Sequence, residues 1–412
     1  MPPARLAYLT GRYVAPSHTF VVREVAALRE LGTEVDTFSI WRSAPDQLLT
    51  DSDRAEAART FDVLPLRPLE VVRSQVAALS ASPRAYARLA KRAVRMAAPG
   101  LRGRLLGASW AVEALILWRQ LRRRGIRHVH AHLNGTAPAV AMLATAFAND
   151  LDGSRDHTWS LTVHGPNEFY DVDREALPEK VRSADFAVCI SDFARSQLMA
   201  FVGEDHWEKL HVVHCGVDPG AYEPAAGSGG DGPLSLLSVG RLTQVKGQAV
   251  LIEGLADLRR RSIDAKLTIV GDGPKRADLE LMAQRLGVND SVSFTGAIGQ
   301  DEVVRHYRAA DLYVHGSFAE GIPVVLMEAM AHGLAVVVAG VMGIPELVRD
   351  GENGVLVRPG RSDEVAEAIE RLAADPGLRA RMGEAGRSAV EEEFDVRANA
   401  ALLQDLFARY AR

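Results

Sequence analysis

Through the second half of the chain, short apolar runs bounded by Gly or Asp alternate with segments whose apolar positions recur every three or four residues. The first pattern predicts buried strands and the second amphipathic helices. LSLLSVG (234–240), KLTIVG (266–271), VSFTG (292–296), DLYVHG (311–316), LAVVVAG (334–340) and GVLV (354–357) are the predicted strands. GQAVLIEGLADLRRR, KRADLELMAQRLG, DEVVRHYRAA, PVVLMEAMAHG and SDEVAEAIERLAA are the helices between them. Strand followed by helix, repeated, implies a parallel sheet covered on both faces.

The first half repeats the theme with more interruptions. Its predicted strands are RLAYLT (5–10), EVDTFSI (34–40), RHVHAH (127–132), SLTVHG (160–165), FAVCI (186–190) and LHVVHCG (210–216), with helices over 18–31, 108–124, 136–148 and 191–202. Between the halves, PGAYEPAAGSGGDGP (219–233) has the composition of a linker. The expected architecture is α/β: two Rossmann-like, doubly wound parallel-sheet domains facing across a cleft. Their expected spans are 1–218 and 234–390, with a C-terminal helix over 391–412 packing back toward the first domain. Ligands of such sheets bind outside the carboxyl ends of the strands.

Composition changes this picture in two places. With 412 residues, 47% hydrophobic and 25% charged, the chain is an ordinary soluble α/β protein of two or three domains. Its start has no signal-peptide pattern and no window reaches the ~18 apolar residues of a spanning helix, so a cytoplasmic protein is expected. Cys189 and Cys215 sit in apolar runs without metal-site spacing and read as buried structural thiols. The formal net charge of −5 is uneven: residues 84–127 carry twelve Lys/Arg against the single acid Glu113. That segment is also rich in Leu and carries Met96, Trp110 and Trp118, as an amphipathic surface for anionic lipid would, or as a solvated face packed on its own domain would. No recognition motif accompanies the charge, and no nucleic-acid partner is expected.

Several strand-to-helix loops carry candidate chemistry. SVGRLTQVKGQ (238–248) sets Arg241 and Lys246 near a helix start, where unpaired amides and the helix dipole favour a diphosphate. Gly240 precedes them, Gly271 opens the turn GDGP, and Ile298 lies in FTGAIGQ. None of these is a P-loop or a dinucleotide fingerprint. SFAEGIPVVLME (317–328) places Glu320 before a helix and Glu328 within it, with Gly321, Ile322, Pro323 and Val324 at the helix start. A carboxylate repels phosphate but binds hydroxyls well. A ligand with both a diphosphate and several hydroxyls, such as a nucleotide sugar, suits both halves.

The Glu-x7-Glu stretch SFAEGIPVVLMEAMA, the upstream GRLTQVKG and the downstream GIPELVRDGENGVLVRPG together resemble glycosyltransferase family 4, whose retaining enzymes have the two-domain GT-B fold. In the first half, PSHTFVVREVAALRELG, HVHAHLNG and SLTVHGPNEFYD resemble members that build exopolysaccharides and lipid-linked glycans. The resemblance implies that Arg241 and Lys246 hold the donor diphosphate, Glu320 binds donor-sugar hydroxyls and Glu328 the ribose hydroxyls. It implies that backbone from Gly321 to Val324 lines the sugar and phosphate, and that backbone near Ile298 lines the base. His164 matches a histidine beside the reacting sugar, and Gly11, Ser17 and Asn167 fall on the acceptor side. No bound metal or other cofactor is implied. The expected partners are a nucleotide-sugar donor, UDP-linked before GDP-linked, and a hydroxyl acceptor, glycan or lipid-linked.

Two departures fall on the acceptor side: Ser17-His18-Thr19-Phe20 where the family often has Ser-Glu-Thr-Phe, and His164-Gly165-Pro166-Asn167 where it has His-Gly-x-Asp. Rival functions are a nucleotide-sugar epimerase on the same plan, a natural-product glycosyltransferase, and a non-catalytic nucleotide-sugar-binding protein. Asp171-Val172-Asp173 mimics a metal-binding Asp-x-Asp, but Asp51-Ser52-Asp53 fits equally well. His128, His130 and His132 alternate on one strand face with no third ligand at a suitable sequence spacing, and no metal is expected there.

Overall fold

The computed structural model describes residues 5–15, 19–48, 50–226 and 232–411. Ser17, an expected acceptor-side residue, lies outside them. The chain forms two compact units, residues 1–214 with 396–412, and residues 215–395.

The first unit is built on seven strands: β1 (Leu6–Thr10), β2 (Val35–Trp41), β3 (Phe61–Leu64), β4 (His128–His132), β5 (Thr158–Val163), β6 (Phe186–Cys189) and β7 (Leu210–Val212). They lie in the order β3-β2-β1-β4-β5-β6-β7, all parallel. The second unit has β8 (Leu234–Val239), β9 (Ala265–Val270), β10 (Val292–Gly296), β11 (Leu312–His315), β12 (Ala335–Ala339) and β13 (Val355–Val357), also parallel, in the order β10-β9-β8-β11-β12-β13. Most of the strands are buried on both faces because helices cover both. Each sheet reverses its winding once, between β1 and β4 and between β8 and β11. The carboxyl ends of these strands are the ligand-binding position of a doubly wound sheet.

Two expectations change. Phe61–Leu64 is an additional edge strand, short and half-polar, which hydrophobic periodicity alone does not flag. Residues 219–226, assigned to a linker by composition, belong to the second unit: Pro219–Ala221 forms a 3-10 turn and the Ala225 amide donates to the His332 carbonyl at 2.7 Å. The helix Val396–Tyr410 packs on the helix Thr19–Glu30 within the first unit, burying Val396, Ala400, Leu403 and Phe407.

The basic segment resolves into the helices Pro83–Met96 and Leu101–Arg124. Leu89, Met96, Trp110, Leu115, Ile116, Leu117 and Trp118 are core residues, and Arg92, Arg119 and Arg124 pair with Asp150, Glu70 and Asp36. Most of the segment is therefore structural. Leu101, Leu105 and Leu106 stay exposed, as do Leu69, Val72, Val76 and Leu79 on one face of the neighbouring helix Pro68–Ala81. Among the described residues, no helix is long and apolar enough to cross a membrane.

Candidate active site

In the second unit the loops after β8 and β11 pack backbone against backbone. Gly247 has φ +62°, and a Cβ there would meet the Gly316 carbonyl oxygen at 1.9 Å, so both the conformation and the contact require glycine. The Phe318 amide donates to the Val245 carbonyl at 2.8 Å and fixes the register of the two loops. This brings Lys246, in a 3-10 turn before the helix Gln248–Arg260, onto Glu320 in the loop before the helix Val324–Ala331.

Three donors converge on one oxygen of Glu320. Lys246 Nζ lies 2.5 Å from Oε1, Ser317 Oγ donates at 2.7 Å, and His315 Nε2 lies 2.9 Å away. Glu320 is only 8% exposed. Burial pushes its carboxyl up, but His315 and Lys246 outweigh burial and hold its pKa at about 2. The result is a carboxylate ionised at neutral pH, whose second oxygen takes none of these three bonds. Arg241, on the same β8 loop, is exposed, and its guanidinium has no ion-pair partner among the described residues.

Glu328 is also buried, which removes the alternative of an ordinary exposed helix residue. Tyr222 Oη and Gln300 Nε2 donate to its Oε1, both at 3.3 Å, and Tyr307 Oη donates to its Oε2 at 3.4 Å. These bonds are long for a carboxylate, which commonly takes its partners at ~2.7–2.9 Å. Tyr313 lies within the field of both acids: burial first, and then Glu320 and Glu328, raise its phenol well above the usual value. Gly321, Ile322, Pro323 and Val324 form the start of the Glu328 helix, with Pro323 as its N-cap and Gly333 in the left-handed conformation just past its end. Gly240 and Gly271, both at positive φ, end β8 and β9, and Ile298 lies between β10 and the helix Gln300–Ala309.

In the first unit His164 follows β5 and is 8% exposed. Its Nε2 is 2.9 Å from Nδ1 of His132 at the end of β4. Glu168 accepts from the amides of His164 at 2.6 Å and Gly165 at 3.2 Å on one oxygen, and of Asn134 at 2.8 Å on the other. Its carboxyl is turned inward, and burial pushes its pKa up to about 7 against the pull of those amides. Lys180, buried and held down to about 8, donates to Asn134 Oδ1 and the Gly135 carbonyl at 2.8 Å each. Together they stitch the β4 and β5 loops into one body. Asn167 is exposed on the same loop, and Gly11 follows β1 with open space beside its Cα.

The histidine ladder of β4 is buried against β5. His128 spans Thr158 and Ser160, and His130 spans Ser160 and Thr162, all at 2.7–2.9 Å. A third group does stand beside His130 and His132, contributed by Glu24 from the helix Thr19–Glu30 rather than by a nearby sequence position. Both ring nitrogens of His130 are already engaged by hydroxyls, which fits a hydrogen-bonded core better than a ligand set. The alternation TWSLT opposite HVHAH was the available sequence signal for this ladder. Asp171 and Asp173 are exposed, and Asp53 closes a capping box with Thr50.

Comparison with known proteins adds to this geometry. Residues 17–221 match glycosyltransferase family 4, and residues 227–389 match glycosyl transferases group 1. The alpha-D-kanosaminyltransferase of Streptomyces kanamyceticus is 30% identical over 305 residues, covering 68% of this chain and 77% of that protein. The GDP-mannose-dependent alpha-(1-6)-phosphatidylinositol monomannoside mannosyltransferase of Mycolicibacterium smegmatis is 34% identical over 253 residues, 58% of this chain and 65% of that one. The crystal structure of Anabaena Alr3699/HepE in complex with UDP superposes with a TM-score of 0.73 at 19% identity, over 98% of this chain and all of that one. At that identity the likeness is one of fold.

Proposed function

The chain belongs to the family 4, group 1 glycosyltransferases and has their GT-B fold, and from that premise we propose that it moves a sugar from a nucleoside diphosphate sugar to a hydroxyl acceptor with retention at the anomeric carbon. The observation that carries this reading is the contact of Lys246 with Glu320, a cation and an ionised hydroxyl acceptor held at the carboxyl ends of β8 and β11. An ammonium has three donors, so Lys246 can hold Glu320 and a donor phosphate at once. Arg241 and the amides at the start of the Glu328 helix supply the rest of the charge that stabilises the departing diphosphate. Glu320 takes hydroxyls of the transferred sugar through its second oxygen. Glu328 takes the ribose hydroxyls, beside the hydroxyls of Tyr222 and Tyr307 and the Gln300 amide.

Backbone from Gly321 to Val324 lines the sugar and phosphate, backbone near Ile298 lines the base, and Gly240 and Gly271 let the ligand come close. His164 stands against the reacting sugar, with Gly11, Ser17 and Asn167 on the acceptor side. The acceptor attacks from the face that the diphosphate leaves, and a diphosphate oxygen takes its proton. No divalent ion is needed, because the protein supplies the positive charge: transfer should persist in excess chelator, and strict dependence on an added divalent ion would falsify this account.

A screen of uridine, guanosine and thymidine diphosphate sugars by thermal shift and slow hydrolysis tests the proposal. We expect stabilisation by UDP-sugars first and GDP-sugars second. Turnover of the donor to an isomer without acceptor would instead identify an epimerase, and binding without turnover across an acceptor panel would identify a binding protein. The acceptor is a glycan or lipid-linked hydroxyl. The kanosaminyltransferase similarity favours a natural-product acceptor as the second choice.

The exposed stripe Leu69, Val72, Val76 and Leu79, with Leu101 and Leu105 beside the basic side chains of residues 84–104, supports contact with an anionic membrane face. Sedimentation with anionic vesicles should weaken as salt rises. Equal sedimentation with neutral and anionic lipid would rule this out.

A further inference from the structure

Behind His164 the first unit contains a line of buried polar side chains that has no part in the mechanism above. The helix Thr19–Glu30 presents Phe20 and Glu24, four residues apart and therefore on one face, to the ends of β4 and β5. The Phe20 ring lies 4.5 Å from that of His164. Glu24 Oε1 is 3.1 Å from Nε2 of His132, and the Tyr8 hydroxyl donates to the same oxygen at 2.8 Å. His132 Nδ1 in turn faces His164 Nε2 at 2.9 Å. His132 and Tyr8 are fully buried.

Proton positions along this line follow from what each nitrogen faces. A carboxylate oxygen and a bare imidazole nitrogen repel each other, so at 3.1 Å the hydrogen belongs on His132 Nε2. That contact is close but poorly aligned for a hydrogen bond, so it acts mainly by charge, which is sufficient to choose the tautomer. With the hydrogen on Nε2, the His132 ring offers Nδ1 as an acceptor, and the nitrogen opposite, His164 Nε2, must donate. The remaining ring nitrogen of His164, Nδ1, is then an acceptor. A tautomer set in this way by the group behind the ring is the usual means of fixing an active-site histidine.

We propose that Glu24 and His132 are positioning residues that hold His164 as its Nε2–H tautomer, so that Nδ1 accepts a hydrogen bond from a substrate hydroxyl. This rests on the placement of His164 against the reacting sugar. It also gives Phe20 and Glu24 of the motif SHTFVVRE a role: one packs on the reacting imidazole and the other orients it through His132.

The test combines spectroscopy and kinetics on the full chain. Long-range proton–nitrogen spectra of the 15N-labelled protein should show His164 protonated at Nε2 and bare at Nδ1, and His132 likewise. In Glu24→Gln the His164 pattern should become mixed. Glu24→Gln and His132→Asn should each lower kcat by roughly 10- to 100-fold while the donor KM stays unchanged. Glu24→Gln should cost nothing further in a His164→Ala background. If the hydroxyl belongs to the donor sugar, acceptor-free hydrolysis falls together with transfer; if it belongs to the acceptor, hydrolysis is unchanged.

A His164 protonated at Nδ1, an imidazolium at His132, or losses that multiply in the double variant would each overturn the positioning role while leaving His164 at the reaction. Full activity in His164→Ala would instead remove His164 from the reaction, and this proposal with it. Should Glu24→Gln fail to fold, the spectrum of the unmodified protein still decides the tautomer.

Discussion

Each unit carries a buried carboxylate a few residues past the end of a central strand, and the two have opposite character. Glu320, five residues after His315 at the end of β11, has its pKa held at about 2, whereas Glu168, four residues after His164 beyond β5, is pushed up to about 7. Burial raises both. The difference lies in what they face. Glu320 meets a lysine ammonium at 2.5 Å, with an imidazole and a hydroxyl on the same oxygen, while Glu168 meets three backbone amides and has Lys180 only at longer range. Amide dipoles satisfy a carboxylate's lone pairs but do not cancel its charge in a low dielectric. Glu320 is therefore a charged group available to a ligand, and Glu168 is a clasp for its own loop.

Removing Glu320 or its cation tests this contrast most severely. Glu320→Ala and Lys246→Ala should each reduce transfer by about 100-fold or more, with near-UV circular dichroism unchanged because the loop packing rests on Gly247 and Gly316. A loss below tenfold in either variant would mean that the pair is structural. Acid unfolding provides a second measurement. The folded pKa of Glu320 lies below its ordinary 4.5, so the stability it contributes is complete above pH 4.5 and disappears as pH falls toward 2. That displacement corresponds to roughly 3 kcal/mol. The acid limb of a stability–pH curve should flatten in Glu320→Ala.

Glu168 should behave in the opposite sense. Its folded pKa lies above 4.5, so the fold binds the proton more tightly than the unfolded chain does. Its contribution is complete below pH 4.5 and is lost as pH rises through about 7. Glu168→Gln abolishes that titration but leaves one of the three amides facing an NH2 group, at a cost of ~1–3 kcal/mol. The variant should be less stable at pH 5 and lose less between pH 5 and pH 8 than the unmodified protein. Parallel stability curves across that range would show that Glu168 does not titrate there.

The two clusters also differ in how far the chain discloses them. All six strands of the second unit stand where their apolar runs predict, because those runs are bounded by Gly or Asp and alternate with helical segments. Lys246 and Glu320 were legible as residues of strand-end loops, since loop position follows from strand position. Their contact spans 74 residues and depends on two glycines packing against each other, which hydrophobic periodicity does not express. His315 and Ser317 read only as the end of a strand. In the first unit, Glu24 on a helix stands over a hundred residues before His132 and His164 at the ends of β4 and β5, so the topology of the sheet and its covering helix brings them together. Among the missed elements, which include the helices Pro68–Ala81 and Pro376–Glu393, Asp51–Arg59 and Phe61–Leu64 are polar or very short. For Asp51–Arg59, the Thr50–Asp53 capping box was the remaining readable signal.

The smallest effect expected within the Glu320 cluster is that of Ser317. It is fully buried and gives one of three donors to Oε1. Ser317→Ala removes that donor without leaving a charge unpaired, because Lys246 and His315 remain. The expected loss is about 1.5 kcal/mol of stability, with transfer reduced by less than tenfold. The sign of the result separates two physical roles of the cluster. If Glu320 acts through its charge, the cation and imidazole are sufficient and Ser317 is dispensable. If transfer instead falls by as much as in Lys246→Ala, then the angle at which Glu320 offers its second oxygen matters as much as its charge, and the hydroxyl sets that angle.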